Sequence, residues 1–238
     1  MTPLEFLLLV FSLSVGAGMF GALLGLGGGI IIIPVLTLLL KVDIRYAIGA
    51  SIVSVIATSS GAAATYVKER MANFRVAMFL EVATTAGALT GAYLAGVVSR
   101  KWLYIIFSLV MGYTALMMFR NRSMGTAAEA PPDCLADRLR LHGSYQDPFF
   151  GQVSYRVTRT RIGLGISYIA GVLSGLLGIG GGPLKVPAMN LAMQLPIKAA
   201  SATSNFMIGI TAATSAGVYF SRGDINPFVA APVAVGVL

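Results

Sequence analysis

The sequence predicts an all-α polytopic membrane protein with two homologous repeats of about four helices, each opening with a glycine-interrupted helix. Three observations support this fold class. First, 56% of the 238 residues are hydrophobic and only 11% are charged, whereas a soluble domain has about 25% charged residues. Second, several apolar runs reach the length of about 20 residues that one crossing of a bilayer requires. Third, the two halves of the chain share a pattern of glycines and prolines.

The first half of the chain contains four apolar segments. The segment from Leu4 to Leu40 holds one acidic side chain, Glu5, and no basic one. Each of the three following segments has the length of a single span. These segments are Ala47 to Val67, Val76 to Val98 and Trp102 to Phe119.

A shift of 153 positions aligns the two halves without a gap. Gly25-Leu26-Gly27-Gly28-Gly29 then meets Gly178-Ile179-Gly180-Gly181-Gly182, and Pro34 meets Pro187. Apolar composition alone does not pair glycine clusters, prolines and loop asparagines in one register, and such weak symmetry is typical of duplicated transporter folds. Further matched pairs are Arg45 with Lys198, Ser51 with Ser204, Thr58 with Thr211, Tyr66 with Tyr219 and Asn73 with Asn226.

The repeat divides the chain into three parts. Residues 1–120 form unit one, residues 121–160 a polar connecting segment, and residues 161–238 unit two. Turn residues in the connecting segment, followed by alternation at Val153, Tyr155 and Val157, favour a short β-hairpin. Because Leu238 aligns with Thr85, the counterpart of residues 86–120 is absent from the sequence. We therefore expect a whole protein of about eight spans.

Basic residues predict the orientation in the membrane. The loop 68–75, the segment 120–161 and Arg222 together hold 11 basic residues, and the other loops hold 5. The richer group is expected to be cytoplasmic, so the net charge of +8 reports topology and not nucleic-acid binding. The N-terminus is also cytoplasmic if the interrupted helix crosses once, whereas a re-entrant half reverses this. The poorer group contains Lys41, Arg45, Arg100, Lys101 and Lys198.

The glycine clusters predict breaks in the two long helices. About 37 residues from Leu4 to Leu40 would make about 55 Å of helix, but the hydrocarbon layer is only about 30 Å thick. Glycine tolerates the backbone angles that stop a helix, and the half-helix that follows would present free N–H groups to an anion. The alternative is tight helix packing, which is the role expected for Gly87 to Gly91.

Lys185 is the sharpest single candidate, because it lies within an apolar run three residues after Gly182. A charge at that depth usually faces a cavity, where it could neutralise an anion, but it could also snorkel to the interface or pair with a carboxylate.

Hydroxyl and amide side chains could complete the site or form interhelical hydrogen bonds. The predicted substrate-binding residues are Gly27, Gly28, Gly29, Ser51, Gly180, Gly181, Gly182, Lys185, Ser204 and Asn205. Secondary candidates are Thr58, Thr211, Asn190, Arg45 and Lys198.

Glu81 is the one carboxylate well inside a predicted span. Proton coupling and pairing with a basic residue are both open for it. The sequence shows no nucleophile–base pair, metal-ligand cluster or nucleotide motif, so we expect no enzyme activity, no cofactor and no metal. The expected partners are a small anion and the lipid bilayer, with no nucleic acid, and a homo-oligomer is compatible with the sequence.

The paired motifs Gly25-Leu-Gly-Gly-Gly-(x)4-Pro34 and Gly178-Ile-Gly-Gly-Gly-(x)4-Pro187 resemble those of the TauE/SafE sulfite and organosulfonate exporter family. The resemblance extends over nearly the whole chain, including Leu141-His142-Gly143-Ser144-Tyr145. It implies about seven or eight spans, duplicated halves, a bacterial inner-membrane location and anionic sulfur substrates. The leading hypothesis is therefore a secondary transporter of sulfite or an organosulfonate. An anion channel and a membrane scaffold docking through residues 121–160 are the alternatives.

Overall fold

The computed structural model describes residues 2–24, 28–68, 71–120, 133–147 and 151–238. Within these ranges the chain forms ten α-helices and one antiparallel β-hairpin, with π-helical segments Val35–Leu39 and Ala188–Ala192 extending two short helices. The helices are α1 (Pro3–Leu24), α2 (Gly29–Pro34), α3 (Ile44–Lys68), α4 (Phe74–Val97), α5 (Arg100–Arg120), α6 (Cys134–Arg138), α7 (Thr160–Leu177), α8 (Gly182–Pro187), α9 (Ile197–Ser221) and α10 (Pro227–Val237). The hairpin strands are β1 (Gly143–Asp147) and β2 (Gly151–Tyr155).

Four of the described helices are long and apolar enough to cross a membrane. Their outer faces carry exposed large apolar side chains such as Val82 and Val97, which suits contact with lipid and not with water. The predicted helical, membrane-spanning class is therefore confirmed. The four apolar stretches are Pro3–Gly21, Ile44–Ala63, Phe74–Val97 and Thr160–Leu177.

Each interrupted helix turns back on itself. In the second half, the N–H of Thr158 before α7 donates to the carbonyl of Met193 beyond α8 at 3.3 Å, and Gly163 packs against the Met193 side chain. In the first half, Val10 of α1 shares an apolar cluster with Leu36 beyond α2. Both ends of each interrupted helix therefore lie on one face of the bundle, and the second part of each is re-entrant.

One face of the bundle carries the β-hairpin, and we call it the hairpin face. The Asn73 side-chain amide donates to the carbonyl of Leu141 at 2.8 Å and to the hydroxyl of Tyr155 at 3.1 Å. The Asn73 backbone N–H donates to the hydroxyl of Thr203 at 3.0 Å. The loop before α4, the hairpin and the start of α9 therefore share this face, and the hairpin predicted from turn residues is confirmed.

Asp133, directly before α6, is bonded to the start of α7. Its carboxylate accepts hydrogen bonds from the backbone N–H and the hydroxyl of Thr160, both at 2.8 Å, and from the N–H of Leu135 at 3.0 Å. These bonds, that from the Thr160 backbone first, hold the pKa of the Asp133 carboxyl below its usual value because they favour the charged form. Asp133 thus caps α6 and fixes the start of α7.

The opposite face carries the end of α9. Arg222 donates from Nη1 to the carbonyl of Ala92, and Arg45 donates from Nη2 to the carbonyls of Gly96 and Val98, both at 3.4 Å. The expectation that Arg222 lies with the loop 68–75 is therefore wrong.

Lys198, at the start of α9 one turn before the Asn73 contact, lies on the hairpin face and was also assigned to the wrong group. The two errors have one cause. The assignment treated the second interrupted helix as a single crossing of the bundle, but its re-entrant turn returns the chain to the hairpin face before α9. Arg222 leaves the group with more basic residues and Lys198 joins it, so the count of 11 against 5 is unchanged.

The start of α1 lies on the opposite face. Phe6 of α1 stacks on Phe228, which lies beyond Arg222, with ring centroids 5.7 Å apart.

The helices that the sequence repeat pairs run in opposite directions. α3 runs from the opposite face to the hairpin face, and α9 runs back beside it. Helix α4 packs alongside α7, with Gly87 against the backbone of Tyr168 and Gly91 against that of Val172. The packing role expected for Gly87 to Gly91 is confirmed, because a Cβ at either glycine would collide with the α7 backbone.

Candidate functional site

The second interruption is built from glycines with left-handed backbone angles. Gly178, Gly180 and Gly181 have φ values of +67°, +73° and +76°, where any residue with a Cβ is strained. The α7 helix ends where the Gly178 N–H donates to the carbonyl of Ser174 at 2.8 Å, and α8 begins where the Lys185 N–H donates to that of Gly181 at 2.9 Å. The structure therefore has the helix break at the position that the glycine cluster predicts.

The described part of the first interruption has a different backbone. Gly28 has a φ of −60°, which is helical, and its carbonyl accepts hydrogen bonds from the N–H groups of Ile31 and Ile32 at 3.1 Å each. Gly27 lies outside the described residues, so its predicted role stays a prediction. Gly28, directly before α2, is thus helical, whereas its counterpart Gly181, directly before α8, is left-handed.

The space beside several of these glycines is filled by α3 and α9. A Cβ at Gly180 would lie 2.6 Å from the Ile208 side chain and 2.7 Å from that of Val55. A Cβ at Gly29 would meet Ser51 and, at 2.8 Å, Val55. The sequence predicts that both clusters present free N–H groups to an anion, but at Gly29 and Gly180 this conformation has close helix packing instead.

Lys185 is buried and linked to a carboxylate through one hydroxyl group. The side chain is 1% exposed, and Nζ donates to Oγ1 of Thr211 at 2.6 Å. That hydroxyl lies 2.8 Å from Oε1 of Glu81 and 2.9 Å from the carbonyl of Met207, so it can donate its single proton to either. Lys185 therefore does not snorkel to the interface. We call these three side chains the Lys185–Thr211–Glu81 network.

Polar groups converge beside Gly181. A Cβ at Gly181 would lie 3.1 Å from Cβ of Ser174 and 3.2 Å from Cε of Lys185. The Ser174 hydroxyl is buried and has no hydrogen-bond partner within the described ranges. Sequence reasoning missed Ser174, because one serine in an apolar helix looks like an ordinary interhelical contact. Lys185 and Ser174 thus offer hydrogen-bond donors at the second interruption.

Three more of the predicted residues are buried side chains of α3 and α9. Ser51 Oγ donates to the carbonyl of Gly178 at 2.8 Å, which ties α3 to the second interruption. Ser204 Oγ and Asn205 Nδ2 are buried, and neither has a partner among the residues that the structure describes. Such unsatisfied groups are rare in folded proteins and call for a water, an ion or a ligand.

The secondary candidates divide into different roles. Thr58 donates to carbonyls of its own helix, and Asn190 closes a turn by donating to the carbonyl of Leu195 at 2.8 Å. Arg45 and Lys198 lie on opposite faces of the bundle, so they do not share one entrance. Of this group, Thr211 alone is in hydrogen-bond contact with Lys185.

A cavity of about 270 Å³ lies between α5, α7 and α8. Apolar side chains dominate its lining, and no charged residue contributes to it. Such a lining suits a hydrocarbon chain and not a desolvated anion. Among its lining residues are Tyr113, Ile166, Leu173, Leu184 and Leu191.

A bundle of apolar helices with two re-entrant segments and a buried ionisable network is typical of membrane transport proteins. The family model "Sulfite exporter TauE/SafE" matches residues 10–238. The chain therefore belongs to the TauE/SafE family, and it is a multi-pass membrane transporter and not an enzyme.

Curated relatives agree with this assignment. The chain is 32% identical over 230 residues to "Probable membrane transporter protein YunE" of Bacillus subtilis, covering 94% of this chain and 81% of the relative. It is 26% identical over 231 residues to a probable membrane transporter protein of Methanocaldococcus jannaschii, covering 93% and 75%. No solved structure matches.

Proposed function

We propose that the protein is a secondary transporter that moves a small sulfur-containing anion, sulfite or an organosulfonate, across the bacterial inner membrane. The observation that carries the proposal is the burial of the basic side chain of Lys185. Among the described residues it is the one basic side chain in the buried set. It sits beside the interruption at Gly181 with the unpartnered hydroxyl of Ser174. A buried cation with adjacent donors is suited to hold a desolvated anion.

Ser204 and Asn205 of α9 also support anion binding, because their buried polar groups lack partners within the described residues and can donate to anionic oxygens. Gly28 and Gly182 would let the backbone approach the anion closely, whereas Gly29 and Gly180 let α3 and α9 pack closely beside the site. The "Sulfite exporter" description of the family favours sulfur anions over others.

The mechanism that we favour is alternating access between two inversely oriented units, residues 1–120 and 161–238. The helix pairs that the repeat aligns run in opposite directions, which is the arrangement that lets one unit rock against the other around a fixed site. The close packing of α3 and α9 around Gly29 and Gly180 favours a carrier over an open channel. The excess of basic residues on the hairpin face favours a cytoplasmic location for that face and for the segment 121–160.

Flux measurements in proteoliposomes test this proposal. Labelled sulfite, sulfoacetate and taurine are compared with sulfate and a simple carboxylate. We expect saturable uptake of at least one sulfur anion at carrier rates, abolished in Lys185→Met, which keeps the chain length but removes the charge. Lys101→Met, which removes an exposed lysine at the start of α5, is the matched control and should behave as wild type. Absence of flux for every sulfur anion, or unchanged flux in Lys185→Met, would overturn the proposal.

A further inference from the structure

Glu81 is a buried carboxylate for which anion binding alone gives no role. It lies on α4 and is 6% exposed. Its Oε1 atom accepts a hydrogen bond from Thr85 at 3.1 Å and lies 2.8 Å from the Thr211 hydroxyl. Its Oε2 atom is buried and has no partner within the described residues. Carboxylates at such depth are costly and mark paths of ions or protons.

The charge balance of the site links Glu81 to the substrate. With Lys185 protonated and Glu81 ionised, the empty network is neutral. A bound monoanion would leave one net negative charge in a medium of low dielectric constant, which is strongly disfavoured. One proton on Glu81 restores neutrality.

We propose that Glu81 is the proton site of this transporter, and that one monoanion and one proton are bound and carried together. The inference rests on the proposed function. A proton from water binds to Oε2 of Glu81, converting the carboxylate to a carboxylic acid, while Oε1 keeps its contacts with Thr85 and Thr211. The Lys185 ammonium, no longer balanced by Glu81, then pairs with the anion. On the other side of the membrane the anion leaves and the proton returns to water.

Other titratable groups around the network do not replace Glu81. The hydroxyl of Tyr219 donates to the carbonyls of Gly175 and Leu176, and that of Tyr155 accepts from Asn73. Tyr145 packs with Tyr155 on the hairpin. The remaining titratable side chains on α5, α7 and α9 whose surroundings the structure describes are exposed; they are Arg100, Lys101, Tyr104, Tyr113, Arg161, Tyr168 and Lys198.

Proteoliposomes loaded with a pH-sensitive dye test the coupling, with methanesulfonate as the probe because its charge stays at −1 over the neutral range. Acidifying the outside by about one pH unit should drive up to about tenfold accumulation of the anion, since a neutral one-to-one cotransport balances the two gradients. The interior should acidify as the anion enters. Exchange of labelled for unlabelled anion, measured without a gradient, reports transport itself.

Glu81→Gln should exchange the anion at a rate independent of pH, without accumulation and without acidification. Glu5→Gln, which alters an exposed carboxylate on α1, is the matched control and should accumulate the anion like wild type. If wild-type protein exchanges the anion but neither accumulates it nor acidifies the interior, the coupling is overturned and the proposed function stands. The same holds if Glu81→Gln accumulates the anion like wild type. If wild-type protein exchanges no sulfur anion, both proposals fall.

Discussion

The two glycine interruptions have nearly the same sequence motif but different surroundings. In the register that aligns the halves, Lys185 of the second interruption matches Ile32 of the first. Lys185 is buried in a hydrogen-bonded network, whereas Ile32 is buried in an apolar cluster. The matched threonines differ as well, because Thr211 contacts both Lys185 and Glu81 while Thr58 donates to carbonyls of its own helix.

The difference distinguishes residues that shape the backbone from residues that we propose bind the anion and the proton. The shared glycines lie at the interruption in each half, and the shared prolines end the short helices α2 and α8 that follow. The unshared residues, Lys185 and Glu81, bring charge to the surroundings of the second interruption only, since their counterparts are Ile32 and Ala234. The asymmetry predicts that equivalent substitutions in the two halves have unequal effects.

The largest difference is expected between Lys185→Met and Ile32→Met. Loss of the buried cation removes the charge that we propose pairs with the anion, an effect of about 2–5 kcal/mol, and should lower flux at least about tenfold. Ile32→Met conserves volume and costs less than about 1.5 kcal/mol, so flux should stay within about twofold of wild type. Uptake of labelled sulfite measures both, and equal losses in the two variants would refute the asymmetry.

Gly180→Ala and Gly28→Ala compare the two backbones. Gly180 has a left-handed φ and its Cβ would lie 2.6 Å from Ile208, so alanine should destabilise the protein by about 2–4 kcal/mol. Gly28 has a helical φ and its Cβ would find its nearest neighbour at 3.5 Å. Alanine there should be neutral or stabilise by up to about 1 kcal/mol. Melting temperatures in detergent check this, and a Gly28→Ala loss as large as that of Gly180→Ala would count against it.

Thr211→Val and Thr58→Val compare the matched threonines. Valine at position 211 removes the hydroxyl between Lys185 and Glu81 and leaves buried polar groups unpaired, an effect of about 1–3 kcal/mol. We expect transport to fall about tenfold, with a changed pH profile. Thr58→Val removes hydrogen bonds within one helix and should change flux by less than about twofold. Identical pH profiles for wild type and Thr211→Val would contradict the role of the network.

The smallest difference is expected between Ser51→Ala and Ser204→Ala. Ser51 loses its hydrogen bond to the carbonyl of Gly178, which should destabilise the protein by about 1 kcal/mol. The Ser204 hydroxyl has no partner within the described residues, so alanine should change stability by less than about 0.5 kcal/mol while weakening anion binding. A stability loss in Ser204→Ala equal to that in Ser51→Ala would show that its hydroxyl is already satisfied.

The positions of the helix breaks could be predicted from the sequence, because glycine is the residue that suits left-handed angles such as those at Gly178 and Gly181. A carboxylate partner for Lys185 was one open alternative, since a buried charge needs a counterpart. The direction after each break could not be predicted, because straight and re-entrant half-helices have the same apolar composition. The sides assigned to Arg222 and Lys198 were wrong for this reason.

The candidate site was predicted less completely than the fold. No sequence pattern identified Ser174 as a site residue, because its position beside Gly181 depends on the reversal of the chain. The close packing at Gly180 was also missed, since the absence of a side chain permits both wet space and close contact, and only the neighbouring helices decide between them.

The most direct test of the account is a structure of the protein with selenite, an analogue of sulfite whose selenium scatters anomalously. We expect an anomalous selenium peak beside Gly181 and Ser174, placed so that a selenite oxygen accepts a hydrogen bond from Lys185 Nζ. A peak at the first interruption beside Gly28 and Ile32, with none at Lys185, would contradict it.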